Sequence, residues 1–111
     1  MAIWYAVLTD GNDNDWGTGS FDKDSAVRVA ASYRENGYPD AHIAVINNDT
    51  DNPVCIDVIT DLEAYHVKPE FYSMWGEDVD ENSIVTMDEV KRLADEWNTS
   101  ISALLEQLTE I

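Results

Sequence analysis

The chain predicts an α+β fold: a small ββαββ-type antiparallel sheet with one packed helix, followed by a C-terminal helical hairpin. Three observations carry this. Runs of β-branched and aromatic residues at 3–8, 41–46 and 54–59 are bounded by turn residues. The segment SAVRVAASYREN has helical spacing, and a capping box at Thr86 opens two amphipathic runs. With 111 residues, 44% of them hydrophobic, one domain over 1–111 is expected. Within it, 1–60 form sheet plus helix, 61–85 an irregular acidic and aromatic cover, and 86–111 the hairpin.

The first strand is IWYAVL at 3–8, ended by Thr9-Asp10-Gly11, with WGTGSF at 16–21 as a short partner. Asp22 or Asp24 is the N-cap of the first helix, which turns Ala26, Val27, Ala30, Ala31 and Arg34 to neighbouring turns and stops at Gly37. After Tyr38-Pro39-Asp40, AHIAVI and VCIDVI flank NNDTDNP and read as a hairpin. Symmetric pairing about that loop sets Ile46 opposite Val54, Ala44 opposite Ile56 and Val45 opposite Cys55. Both faces are then largely apolar, as for strands covered on each side.

Aromatic residues in EAYHVKPEFYSMWG precede the acidic run EDVDEN at 77–82, where a short helix or irregular cover is expected. Thr86 and Glu89 form the capping box of a helix with Val90, Leu93, Ala94 and Trp97 on one stripe. Beyond Asn98-Thr99, the positions Ile101, Leu104, Leu105, Leu108 and Ile111 continue helical spacing. Leu104, Leu105 and Leu108 are the candidate oligomerisation face, and a homodimer through these helices is one expectation.

Charge is the most unusual property. Twenty-three Asp and Glu against six Lys and Arg leave a net charge of −17. Nucleic acid and anionic membranes are repelled by such a surface, which directs attention to a basic protein or a cation. The acids are spread out: residues 1–60 hold ten against three bases, and 61–111 hold thirteen against three. Four tryptophans and five tyrosines interleaved with them supply a core and argue against disorder. The single cysteine, Cys55, excludes an internal disulfide framework and fits a reducing compartment, hence a cytoplasmic expectation. The N-terminal run lacks the basic region of a signal peptide, and no stretch reaches the ~20 apolar residues of a membrane span.

The stretch TDGNDNDWGTGSFD at 9–22 tests two chemistries. As a calcium loop starting at Asp10 it has Asp15 where glycine is required and Phe21 where the bidentate acid belongs. As a phosphate cradle it lacks the third glycine, and its aspartates repel pyrophosphate. It reads as a hairpin turn. Asn47, Asp49 and Asp51 alternate in a second loop that lacks the glycine and the terminal glutamate, which leaves Asp49 and Asp51 as the weak metal candidates and no cofactor expected.

Catalysis finds little footing. Cys55 with His42 or His66 is the available nucleophile and base, but the symmetric register sends Cys55 and His42 to opposite faces. One cysteine and two histidines at no ligand spacing make no closed zinc site. The C-terminal helices resemble a helix-turn-helix unit in outline, yet no Lys or Arg follows Arg92, so direct nucleic-acid binding is not expected.

The expectation is therefore a non-enzymatic domain that binds a basic, nucleic-acid-binding protein by imitating nucleic acid. A domain of this length spans about 34 Å, over which B-DNA carries about 20 charges, the same order as −17. The candidate contacts are Glu77, Asp78, Asp80 and Glu81, with Asp10, Asp13 and Asp15 in the 10–15 loop. Size and charge are similar to those of small acidic phage and mobile-element proteins that block restriction or CRISPR systems, a similarity of composition alone. A divalent-cation module and a structural or oligomerisation domain are the alternatives.

Overall fold

The computed structural model of the chain describes residues 2–9, 16–49 and 51–111. The chain is α+β, with a four-stranded and a three-stranded sheet and several helices. It divides into two compact units, Met1–Leu62 and Glu63–Ile111.

In the first unit, β1 (Ile3–Leu8), β2 (Gly19–Ser20), β3 (His42–Asn47) and β4 (Val54–Ile59) form an antiparallel sheet in the order β2-β1-β3-β4. β1 and β3 pair along their full length, from Ile3 opposite Asn47 to Leu8 opposite His42. Gly19 lies opposite Ala6, where a Cβ would collide with the Tyr5 carbonyl oxygen, so the short β2 can close on β1 only with glycine there.

Helix α1 (Lys23–Glu35) begins where its cap demands: the Asp22 carboxylate accepts from the Ser25 N–H at 3.2 Å and the Ser25 hydroxyl at 2.8 Å. It ends before Gly37, whose φ of +104° is open to glycine and strained for other residues. Its buried stripe, Ala26, Val27, Ala30 and Ala31, is made of small side chains that bring the helix close to β1, β2 and β3. Arg34 secures the far end, donating from Nε to the Ala41 carbonyl at 2.7 Å and from its terminal nitrogen to Thr60 at 2.6 Å. The other sheet face carries a separate cluster, Ala6, Leu8, Ala44 and Ile46, packed by Trp4 and Trp16.

The β3–β4 hairpin forms, with a different register from the symmetric one. Ile46 faces Cys55, Val45 faces Asp57 and Ala44 faces Val58, with a bulge at Ile56. Contacts of the loop with the chain's start break the symmetry: the Asn48 N–H donates to the Ala2 carbonyl and the Ala2 N–H to Asp49 Oδ1. These bonds prolong the β1–β3 side of the loop by residues that symmetric pairing assigns to the turn. The expected cover on both faces is also absent from β4, where Val54, Ile56 and Val58 are 50%, 54% and 52% exposed. The strand is the last in the order, beyond the strands against which α1 lies.

The second unit has β5 (Ala64–Val67) between β6 (Val85–Thr86) and β7 (Leu108–Glu110), all antiparallel. A 3-10 turn (Pro69–Phe71) leads into α2 (Tyr72–Trp75), the short helix expected before the acidic run. Thr86 caps α3 (Met87–Glu96) by accepting from the Glu89 N–H, as the capping box requires. Asn98, at φ +52°, ends that helix, and Ser100 caps α4 (Ile101–Leu105). Val67, Val85, Val90, Ala94, Leu104 and Leu108 make the core.

The helical pair is therefore present but shorter than its periodicity indicates. After Leu105 the chain turns, with the Gln107 N–H bonded to the Leu104 carbonyl, and Leu108 enters β7 opposite Val67. Spacing of 104, 105 and 108 fits a helix, but pairing along β5 satisfies the same backbone and buries the same leucine. No helix among the described residues is long and apolar enough to cross a membrane.

Candidate functional site

The acids occupy the surface: among the described residues no Asp or Glu is buried. Four of the six cations have local partners. Arg34 serves carbonyls, Lys68 Nζ donates to the Glu106 carbonyl at 3.0 Å, and Arg28 and Arg92 lie 3.5 and 4.0 Å from Asp24 and Glu96 one turn away.

Glu77, Asp78, Asp80 and Glu81 follow α2 and are all exposed. Between them Val79 is partly buried against the second core, so the acidic segment is held down at its middle. Asp80 is occupied in its own turn, where Oδ1 accepts from the Asn82 N–H at 2.9 Å and its N–H donates to Ser83 Oγ. The Ser83 carbonyl in turn lies 2.6 Å from His66 Nδ1, which places that ring's proton on Nδ1. Asp10, Asp13 and Asp15, expected beside this segment in function, lie outside the described residues.

The weak metal loop is used structurally. Asn47 Oδ1 accepts from the Asp49 N–H, Asp49 Oδ1 accepts from Ala2, and Asp51 is exposed. No group of three or more His, Cys, Asp or Glu placed to hold a metal ion occurs among the described residues. The shifted register corrects the Cys55 and His42 expectation, because pairing with Ile46 brings Cys55 to the same face as His42. The two still stand four β3 positions apart, about 13 Å along the strand. Cys55 Sγ donates to the Asp57 carbonyl and His42 Nδ1 to the Asp40 carbonyl. Of the candidate oligomer face, Leu104 and Leu108 are buried in their own unit and Leu105 packs against the same cluster.

Sequence reasoning missed an aromatic cavity of about 320 Å³ in the first unit, lined by Trp4, Trp16, Phe21, Ile46, Asn48 and Pro53. Trp4 and Phe21 meet edge to face, centroids 4.8 Å apart at 75°, and Trp4 Nε1 donates to the Trp16 carbonyl at 2.7 Å. The signal was in the sequence: Trp4, Trp16 and Phe21 belong to the two arms of the β1–β2 hairpin, whose closure brings distant rings together. Phe21 remains 61% exposed. Next to it, Asp22 has its carboxyl held below the ordinary 3.8 by the Ser25 hydroxyl, then by the Ser25 N–H. The second unit has a cavity of about 390 Å³ lined by Met74, Trp97, Thr99, Leu104 and Gln107.

No family model, curated protein or solved structure matches this chain.

Proposed function

We propose that this protein is a non-catalytic domain that engages a basic, nucleic-acid-binding protein and occupies its nucleic-acid site. The observation that carries this reading is that 23 acids face six bases and that every described acid lies at the surface. A surface of this kind draws a cationic groove over long range and repels the polyanion with which it competes.

The experiment is capture from the host's lysate at low and high salt, followed by displacement with duplex DNA or RNA. Expected are basic nucleic-acid-binding proteins released by salt, since exposed charges are screened over about 8 Å at physiological ionic strength, and released equally by the competing polyanion. Reversing Glu77, Asp78 and Glu81 to Lys, with Asp80 left to hold its turn, lowers affinity about tenfold or more at low salt and less at high salt. Partners indifferent to salt and polyanion, or full binding by the triple variant, sink the proposal or its placement of the contact.

A further inference from the structure

We propose that the cavity of Trp4, Trp16 and Phe21 receives an arginine side chain of the basic partner, an inference that rests on the preceding reading and gives the partner a specific chemical feature. Three rings line one opening, and the faces of indoles and phenyls attract cations through their quadrupoles. The cavity is built before any ligand arrives: the Trp4 indole is held by its bond to the Trp16 carbonyl, with the buried Ile46 beside it. Its volume of about 320 Å³ falls at the small end of the range for ligand pockets.

Charge complements the rings. Asp22 and then Lys23 follow Phe21 in sequence, Asp49 and Asp51 lie between the lining residues Asn48 and Pro53, the chain as a whole stands at −17, and among the described residues no Lys or Arg lines the opening. A cation is therefore favoured over a neutral apolar group by the rings and by the chain's net charge of −17 together. Arginine is favoured over lysine because the lining is aromatic and aliphatic apart from Asn48. A strongly hydrated ammonium loses its water there without replacement, whereas a weakly hydrated guanidinium stacks on ring faces with its edge turned to solvent. A second copy of this chain, itself at −17, brings no such complement.

The test uses three tripeptides, acetyl-Gly-Arg-Gly-amide and its citrulline and lysine analogues, added at up to tens of millimolar to protein whose tryptophan indole N–H signals are followed by 1H–15N NMR. Trp75 and Trp97 are internal controls in the other unit. Expected is a saturating shift of Trp4 and Trp16 alone, with arginine binding about two- to fivefold tighter than isosteric, uncharged citrulline, the range an exposed cation–π contact supplies. Phe21→Leu, at an exposed position that tolerates the change, removes that preference. Equal response to citrulline, stronger response to lysine, movement of all four indoles, no shift, or shifts with protein concentration alone overturns the proposal. Partner binding separates the two readings. Undiminished capture by Phe21→Leu overturns the arginine pocket and leaves the acidic surface standing, whereas capture that ignores salt overturns the acidic surface whatever the tripeptides do.

Discussion

The two units carry nearly equal charge, eleven acids against three bases in the first and twelve against three in the second, and each contains one edge-to-face pair of large rings at 75°. They use those rings differently. Trp4 and Phe21 join Trp16 around an opening half of whose six lining residues are aromatic. Trp75 packs against the second core and donates to Gln107 Oε1 at 2.8 Å, and the cavity beside its partner Trp97 is lined by Met74 and Leu104. Aromatic content therefore does not separate site from core. What separates the two openings is their lining, three rings in the first and one, Trp97, in the second.

The largest expected effect tests whether the two cores are separate. Ile46→Ala removes a buried side chain of the first cluster and Leu104→Ala one of the second, and each is expected to cost about 2–5 kcal/mol in urea unfolding. The clusters share no residue, so the double variant should be additive within about 0.5 kcal/mol. A coupling above about 1 kcal/mol contradicts the division into two cores.

A smaller effect comes from the helix caps, where the units differ in chemistry. The α3 cap is a hydroxyl, and Thr86→Ala is expected to destabilise by about 1 kcal/mol while Thr86→Ser retains most of the stability. Equal loss in both variants shows that the methyl group, not the hydrogen bond to Glu89, carries the position.

The smallest effect belongs to the α1 cap, which is a carboxylate. Asp22 has a folded-state pKa below 3.8, so its contribution is fully present above the unfolded value and is lost as pH falls through the lower folded one. Carboxyl NMR should find Asp22 titrating below 3.8, with Asp22→Asn flattening that acid dependence. The capping oxygen of Thr86 is a hydroxyl that does not titrate in this range, so the contrast lies in the capping group itself. Titration of Asp22 at or above 3.8 breaks the contrast.

Much of the fold was legible because its signals are local. The aspartate cap and glycine stop of α1, the box at Thr86, and the apolar runs of β1, β3 and β4 are read over a few residues each. The register of β4 was not legible, since it follows from bonds between Ala2 and the Asn48-Asp49 turn across more than forty residues of chain. Neither were β5, β6 and β7: two to four residues long, they carry too little alternation to be recognised apart from one another. The candidate site divides in the same way. Exposure of Glu77, Asp78, Asp80 and Glu81 follows from charge, while the aromatic cavity needed a hairpin to close.

The excess of acid, the α+β class and the starts of α1 and α3 follow from local sequence, because charge, periodicity and capping act over a few bonds or need no geometry at all. Long-range packing is what takes Leu108 from its helical stripe into a strand, leaves β4 half exposed, and brings Trp4, Trp16 and Phe21 around one opening. Each of these is a choice among partners distant in the chain, and it is made by whichever pairing satisfies the backbone and buries the most apolar surface at once.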